Sequence, residues 1–552
     1  ANMGAVSTLA DFLSWGVSNY PSERMGLILW DHGSGSINGV CFDEQYDYDS
    51  LTLGELDHAL NQVYDQMTDR FEFIGFDACL MSTLETANVL TPYARYMYAS
   101  QEMEPGSGWD YTSLLNNLAA NPDQDGAQLG EKVCREYYDH CADYGFGSQR
   151  SATFSIIDLS KIDDVLISMN EAFRVIYEQG DLGDVTRAVL EADSFGGNSV
   201  SEGYSNMLDL GNMLDQLSGY GQEVRDASQT LQSCVLYTMN GRLHKNASGL
   251  SVYYPVSIQG SEELKIFSRI CPSNYYYALI DKIAYGAENG SAADYDNSTL
   301  LSDMADINEW LGEESGFTGD VSTNAGEFAD IEIGQMGVSD IYFDEDGIYT
   351  VSFDNMDELA YACCSVGMDD DADGFFYLGT TEEVIYDIDR NCVTDNFDGS
   401  WPCINDNLLA LELVNTTDSC SIYTCNVLLN DEIETNLRIE YDWEYDEWSV
   451  IGIWDGIDEE TGMASREVYE LQEGDVITPA YYWFSVDDDE NWYYGDDIVV
   501  DGDLEITYEY LPEGVYYYCF ELHDIYGNVY YTPFTLQYVD EDGEVWVDGE
   551  FY

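Results

Sequence analysis

Short apolar runs alternate with segments of helical periodicity through about the first 285 residues. Met25–Trp30 and Phe71–Phe76 are long enough for buried strands and too short for helices. Further strands are predicted at Tyr96–Ala99, Thr153–Ile157 and Leu250–Tyr254, and helices at 5–18, after Thr52, and within 161–178, 184–193 and 203–240. Strands that alternate with helices predict an α/β domain over 1–285, with a mostly parallel sheet covered by helices on both faces.

The pattern changes after residue 285. Residues 286–325 are small, polar and acidic, and we interpret them as a linker. Beyond them, short β-type runs are broken by Asp-Gly and Asn-Gly steps such as Asp398-Gly399. This texture predicts all-β sandwich modules at 326–475 and 476–552, the second immunoglobulin-like.

Two predicted strands end in residues that could carry chemistry. Met25–Trp30 leads into Asp31-His32-Gly33, and Phe71–Phe76 leads into Asp77-Ala78-Cys79. Parallel strands bring their carboxyl ends to one sheet edge, where open α/β sheets place ligands, so His32 and Cys79 form a candidate Cys–His dyad. Helical spacing resumes directly after Cys79, and a helix amino end there would favour the thiolate. The alternative is a small buried apolar cysteine.

Several segments in this order resemble the clostripain family of cysteine peptidases, which have a caspase-like fold. The matching segments are 31–35 (DHGSG), 75–81 (GFDACLM), 99–102 (ASQE), 104–106 (EPG), 108–111 (GWDY) and 249–255 (GLSVYYP). The resemblance implies that Cys79 is the nucleophile, His32 the proton shuttle, and the amides of Gly33 and Cys79 the oxyanion hole. Nothing before Met25 supplies the first strand of that fold, so a separate amino-terminal fragment of the same precursor is a candidate partner.

The resemblance also implies a specificity pocket. It places Asp77 at the pocket floor, where a carboxylate would select Arg or Lys, with Asp110 as a weaker second acidic group. Glu102 and Glu104 are the alternatives. The competing interpretation of Asp77 is a cap on the helix that follows Cys79.

Composition narrows the classes of partner. The chain has 107 Asp and Glu against 18 Lys and Arg, a net charge of −89. Such a polyanion repels nucleic acid and anionic lipid, and it attracts basic polypeptides. No apolar run approaches the length of a membrane span, and no signal peptide opens the chain. Its 13 cysteines are compatible with bridges, for example Cys134/Cys141, Cys392/Cys403 and Cys420/Cys425, or with free thiols.

An alternating acidic turn lies in the β-rich half. Asp369, Asp371 and Asp373 precede Gly374, as in the front half of a calcium loop. Thr380 stands where an EF-hand would need Glu, so we predict at most a structural Ca²⁺ turn, and no cofactor for catalysis.

Together these features predict a secreted or cell-surface bacterial cysteine endopeptidase that cuts polypeptides after Arg or Lys. Two alternatives stay open: an inactive, acidic surface-binding or adhesion protein, and a transpeptidase on the same scaffold. Between Gly33 and Asp69 the chain offers no Lys or Arg, so we expect no self-cleavage there. An exposed site such as Arg150 is a better candidate.

Overall fold

The structure is a computed structural model of the 552-residue chain. It describes residues 1–143, 146–179, 182–257, 261–285, 336–344, 347–370, 374–417, 419–458, 461–466, 468–485, 490–502, 504–524, 529–540 and 545–552. The predicted linker at 286–325 lies outside the described residues. None of the described helices is both long and apolar enough to span a membrane.

The first 285 residues contain all the described α-helices. They are α1 (Val6–Asn19), α2 (Gly35–Asn38), α3 (Leu53–Tyr64), α4 (Leu84–Leu90), α5 (Tyr111–Ala120), α6 (Gly126–Asp143), α7 (Phe146–Ser151), α8 (Ile162–Gln179), α9 (Leu182–Leu190), α10 (Leu210–Gln216), α11 (Gln222–Cys234), α12 (Ser261–Ile270) and α13 (Asn274–Tyr285). The helix predicted after Thr52 is confirmed. Thr52 and Glu55 form a capping box, and Leu56, Leu60 and Val63 are buried.

Short strands are interspersed among these helices. They are β1 (Gly26–Trp30), β2 (Val40–Asp43), β3 (Asp49–Leu51), β4 (Phe71–Asp77), β5 (Ala94–Ala99), β6 (Thr153–Asp158), β7 (Ser194–Phe195), β8 (Asn198–Ser199), β9 (Gly203–Tyr204), β10 (Met207–Asp209), β11 (Val235–Asn240) and β12 (Ser251–Tyr253). The central sheet has the order β1-β4-β5-β6-β11. Strands β1, β4 and β5 are parallel, whereas β6 and β11 are antiparallel to their neighbours. The α/β prediction is confirmed, with a mixed sheet.

Both faces of the central sheet are covered. Adjacent residues of β4 point to opposite faces, so Phe73 packs with Trp109 and Phe154, while Ile74 joins the larger core with α1, α3, α8 and α11. One detail of the prediction was wrong. Leu250–Tyr254 does not extend this sheet, because β12 pairs antiparallel with β10 in a separate sheet. The helical stretches predicted within 203–240 are α10 and α11, joined by a 3₁₀ turn at Leu217–Tyr220, and the same range also contains β9, β10 and β11.

The chain from residue 336 is almost entirely β-structure. Its strands are β13 (Val338–Phe343), β14 (Tyr349–Phe353), β15 (Leu359–Asp369), β16 (Gly374–Thr381), β17 (Val384–Asp387), β18 (Cys392–Asp395), β19 (Ser400–Ile404), β20 (Asn407–Leu408), β21 (Leu411–Thr416), β22 (Cys420–Leu429), β23 (Ile433–Asp442), β24 (Glu447–Trp454), β25 (Val468–Tyr469), β26 (Val476–Ser485), β27 (Glu490–Tyr494), β28 (Ile498–Val499), β29 (Ile506–Tyr510), β30 (Gly514–Asp524), β31 (Val529–Tyr531), β32 (Thr535–Val539) and β33 (Val545–Val547). We call 336–552 the β region.

Strand pairing crosses the predicted boundary between 475 and 476. Strand β26 pairs with β16 and β22, and β30 pairs with β15 along most of its length. The division into modules at 326–475 and 476–552 therefore does not coincide with a break in strand pairing. The immunoglobulin-like character of 476–552 stays a prediction. All thirteen cysteines lie among the described residues, and every one is buried and unbridged.

The β region docks on the α/β domain through buried ion pairs. Arg438 donates from Nε (2.8 Å) and Nη2 (2.5 Å) to the two carboxylate oxygens of Glu202, and both side chains are buried. Arg150 contacts Glu440 in the same interface and is itself buried. The expectation that Arg150 is an exposed processing site was wrong, because the β region covers it.

Replacing Arg438 with Ala is expected to lower the free energy of unfolding by about 3–5 kcal/mol, because it leaves Glu202 as a buried charge without its partner. Urea unfolding measures the change. Arg390→Ala is the matched control, since that side chain is 54% exposed and lies 3.7 Å from Asp387; it should cost under about 1 kcal/mol. Equal, small effects of both substitutions would contradict the docking role of Arg438.

Candidate active site

The strand ends that carry His32 and Cys79 lie side by side. In the parallel pairing of β1 with β4, Trp30 is opposite Asp77, and the Asp31 amide donates to the Asp77 carbonyl at 3.4 Å. The sheet therefore delivers both turns to one edge, as the sequence predicts. Gly33 packs on the Cys79 backbone so closely that a Cβ on Gly33 would lie 2.3 Å from the Cys79 carbonyl oxygen. Only glycine fits at this position.

The turn after Cys79 differs from the prediction. Leu80 has a φ of +63°, a left-handed conformation that interrupts a right-handed helical path. Helix α4 begins only at Leu84, with Thr83 as its cap. The predicted helix amino end at Cys79 was therefore wrong, and no helix dipole acts directly on the thiol. For the same reason Asp77 is not a helix cap.

The Cys79 turn is fastened to the segment before β12. The Ser82 hydroxyl donates to the Gly249 carbonyl at 2.7 Å, and the Ser251 amide donates to the Ser82 carbonyl at 2.8 Å. Gln101 bonds to the same segment, accepting from the Gly249 amide at 2.8 Å and donating to the Ser251 hydroxyl at 3.2 Å. These contacts bring parts of 99–102 and 249–255 against the turn that carries Cys79.

The Cys79 thiol is fully buried. Its Sγ accepts a hydrogen bond from the Glu104 amide at 3.2 Å. Burial raises the pKa of the Cys79 thiol to about 12, although the nearby Arg466 guanidinium acts in the opposite direction. In this arrangement the sulfur is protonated at neutral pH.

His32 faces the β region. Its Nδ1 lies 2.9 Å from the Ala464 carbonyl oxygen. A carbonyl oxygen only accepts hydrogen bonds, so Nδ1 carries the proton. In the neutral ring Nε2 is then unprotonated and able to accept a proton.

A buried pocket beside Cys79 is built around Asp77. Its Oδ2 accepts from the Trp109 amide at 3.0 Å and from the Tyr111 hydroxyl at 2.8 Å. Gly108 makes this possible: its φ is +64°, and a Cβ on it would lie 2.5 Å from Asp77 Oδ2. Tyr111 lies in the 108–111 segment of the resemblance, but no pocket role was predicted for it.

An arginine from the β region fills this pocket. Arg466 Nη2 donates to Asp77 Oδ1 at 2.7 Å, Nη1 donates to the Asp31 carbonyl at 3.2 Å, and Nη2 lies 3.4 Å from the Pro105 carbonyl oxygen. The Arg466 side chain is 5% exposed. Its guanidinium carbon lies 5.6 Å from the centre of the Trp30 ring. No local motif marks Arg466 as a site residue; the one signal in the sequence is that it is one of three Lys or Arg residues after Lys282.

The other acidic candidates have separate roles. Asp110 caps α5, accepting from the Ser113 amide at 2.9 Å. Glu102 lies 3.2 Å from His244 and accepts from the Gly196 amide. Glu104 accepts from the Trp109 indole at 3.1 Å beside the pocket. Burial, and then the Asp77 carboxylate, raise the pKa of Glu104 well above its usual range, which favours the protonated form of Glu104 beside the pocket.

The predicted calcium turn is only partly described. Asp369 ends β15, whereas Asp371 and Asp373 lie outside the described residues, so this site stays a prediction. Within the described part of the chain, Cys363, Glu521 and His523 have ligand atoms within 4.8 Å of one another. They lie on the paired strands β15 and β30. His523 and Glu521 contact each other directly at 2.7 Å, and this contact explains why two of the three side chains lie together.

A large cavity lies elsewhere in the described structure. It has a volume of about 1280 Å³ and is lined by residues of both regions, among them Tyr204, Tyr254, Tyr377 and Trp492, but by neither His32, Cys79 nor Asp77. The pocket at Cys79 is not an open cavity because Arg466 occupies it.

Comparisons with known proteins agree on one family. The model of the clostripain family (Peptidase_C11) matches residues 1–290. Clostripain of Hathewaya histolytica is 28% identical over 155 residues, which is 24% of this chain and 28% of that protein. The chain thus spans little more than a quarter of this curated relative.

Solved structures give weaker likenesses. An inactive zymogen C11 protease from Parabacteroides distasonis has a TM-score of 0.37 and 18% identity, over 50% of this chain and 76% of that one. A secreted C11 cysteine protease from Bacteroides thetaiotaomicron, in complex with an irreversible peptide inhibitor, has a TM-score of 0.36 and 20% identity, over 50% and 77%. The family model matches residues 1–290 of 552, more than half of the chain, and this protein therefore belongs to the clostripain family.

Proposed function

We propose that this chain is a secreted bacterial cysteine endopeptidase that cuts polypeptides after Arg, and less well after Lys. One observation supports this proposal most strongly. The pocket beside Cys79 holds an arginine side chain, with its guanidinium on Asp77. A pocket that accepts Arg466 has the size and charge to accept the arginine of a substrate.

In the proposed reaction His32 takes the proton of the Cys79 thiol, and the sulfur attacks the carbonyl carbon before the cut. The amides of Gly33 and Cys79 donate to the oxyanion that forms. The intermediate then collapses, the C–N bond breaks, and His32 gives its proton to the leaving amine. Water hydrolyses the resulting thioester, with His32 again accepting and returning a proton.

The acceptors of the pocket favour Arg over Lys. Three oxygens surround the Arg466 guanidinium, from Asp77, Asp31 and Pro105, and they meet two different nitrogens. A planar guanidinium can donate in these directions at once, whereas an ammonium is a single point of charge on a narrower chain. We therefore expect a preference for Arg.

A peptide-library digest tests the proposal, with the residue before each cut identified by mass spectrometry. Cuts are expected after Arg first and Lys second, and none with Cys79→Ala. Cuts after acidic or apolar residues, or cuts that persist without Cys79, would overturn it. Ligation products formed with an added amine acceptor would instead indicate a transpeptidase.

The segment between His32 and Cys79 is expected to stay uncut in the active enzyme. The first Lys or Arg after Gly33 is Arg70. The bond that follows it leads into β4, where the Phe71 amide already donates to the Tyr93 carbonyl at 2.8 Å. Intact-mass analysis of active enzyme and of Cys79→Ala checks this; a Cys79-dependent break between Gly33 and Asp69 would contradict it.

A further inference from the structure

Residues 461–466, which we call the docked segment, lie along the candidate active site. The Ser34 hydroxyl donates to the Gly462 carbonyl, and His32 Nδ1 contacts the Ala464 carbonyl oxygen at 2.9 Å. Two residues further on, Arg466 enters the pocket of Asp77. The segment therefore contacts first the loop after His32, then His32 itself, and finally the specificity pocket.

The docked segment closes the site to other molecules. Ala464 and Cys79 are both completely buried, and the Arg466 side chain is 5% exposed. A basic side chain of a substrate cannot reach Asp77 while Arg466 occupies it. Arg466 and a substrate therefore compete for the same carboxylate.

The contacts of the segment differ from those expected of a substrate bound for cleavage. In a productive complex the carbonyl of the residue before the cut accepts hydrogen bonds in the oxyanion hole. Among the hydrogen bonds of the described residues, neither the Gly33 nor the Cys79 amide donates to the Arg466 carbonyl. The Arg466 side chain thus fills the pocket while its carbonyl lacks, among these hydrogen bonds, the two that a substrate carbonyl is proposed to make.

The base of the segment is anchored to the α/β domain. The Ile457 amide donates to the Glu202 carbonyl at 2.7 Å, and the Glu202 carboxylate holds Arg438. The Ser465 amide donates to the Gly456 carbonyl at 3.0 Å, and the Trp454 indole donates to the Ser465 carbonyl at 3.0 Å. This anchoring keeps Arg466 at a high effective concentration next to its pocket.

The few arginines of the β region also support competition between Arg466 and a substrate for the pocket. After Lys282 the chain contains only Arg390, Arg438 and Arg466. Arg390 is exposed, Arg438 anchors the interface, and Arg466 occupies the pocket. A buried arginine is tolerated only with a charged partner, and here the partner is the carboxylate proposed to read substrates.

We propose that the docked segment is a tethered inhibitor, in which Arg466 mimics the basic side chain of a substrate and holds the peptidase closed until the segment leaves the pocket. This inference rests on the proposed function. Because inhibitor and substrate compete, the closed state multiplies the apparent KM by one plus the ratio of closed to open molecules and leaves kcat unchanged.

The first experiment compares Arg466→Ala with the native chain on an Arg-containing fluorogenic peptide. We expect KM to fall at least tenfold in the variant, with kcat within a factor of about two, and Cys79 to react faster with iodoacetamide. Arg390→Ala is the matched control and should behave like the native chain. Equal KM values for Arg466→Ala and the native chain, with Arg cleavage intact, would overturn the inhibitor and leave the proposed function standing.

The second experiment does not depend on activity. In a Cys79→Ala background, calorimetry with N-acetyl-arginine amide should show at least tenfold tighter binding once Arg466 is also replaced. If that double variant does not fold, the hydrogen exchange of backbone amides in 461–466 is measured instead, in Cys79→Ala alone. The exchange rate should rise when N-acetyl-arginine amide saturates the pocket, because the probe then displaces the docked segment. A bound probe with unchanged exchange would overturn the inhibitor. If the probe binds to none of the folded variants, both the inhibitor proposal and the proposed preference of the pocket for Arg are wrong.

Discussion

Replacing Cys79 with Ala is expected to abolish hydrolysis, by a factor on the order of 10⁴ or more. The reaction requires a sulfur that attacks the carbonyl, and alanine cannot supply it. His32→Ala should cost nearly as much, and the double variant little more than either alone, because nucleophile and base act as a unit. Initial rates on an Arg-containing peptide measure this, in the native chain and in an Arg466→Ala background.

Cys41→Ala is the matched control for this prediction. Cys41 is another buried thiol at the same sheet edge, where its amide donates to the His32 carbonyl at 3.0 Å. Activity should survive its replacement. Substantial activity in Cys79→Ala would exclude Cys79 and His32 as a catalytic dyad. Equal losses in Cys79→Ala and Cys41→Ala would mean that the substitutions disturb the fold at this sheet edge and do not report on catalysis.

Replacing Asp77 with Asn in an Arg466→Ala background should reduce kcat/KM for Arg substrates by roughly 30- to 4000-fold, which corresponds to about 2–5 kcal/mol for a lost partner of a buried charge. This background is needed because in the native chain the same substitution also releases Arg466, which offsets part of the loss. Asn has nearly the same shape, and its amide oxygen can still accept from Tyr111, but its NH₂ group cannot accept from a guanidinium. In the native chain, alkylation of Cys79 by neutral iodoacetamide should be retained or become faster, since Arg466 is released.

Asp110→Asn is the matched control for Asp77→Asn. The Asp110 carboxylate caps α5 and makes none of the contacts with Arg466 that the described residues show. We expect unchanged preference for Arg. A loss of that preference in Asp110→Asn would restore Asp110 as a pocket residue, whereas full Arg cleavage by Asp77→Asn would exclude Asp77.

Local pattern predicted the elements that bring the dyad together. Apolar runs of five or six residues can bury themselves only as strands in such a sheet, so β1 and β4 were recognisable, and their parallel pairing sets Trp30 opposite Asp77. The capping box at Thr52 was equally local. The start of α4 could not be predicted from local pattern. Leu80 and Met81 continue the apolar spacing of a helix, but they are buried in the turn by contacts with distant segments.

The sequence by itself determined that His32 and Cys79 follow two neighbouring strands, because periodicity and turn residues act over a few positions along the chain. Only the tertiary structure decided what occupies the pocket between them. Arg466 lies hundreds of residues after Asp77, and its position depends on the docking of β23 through Arg438 and Glu202. No short-range pattern encodes such a contact, since it arises from the burial of one arginine against one carboxylate across two regions of the chain.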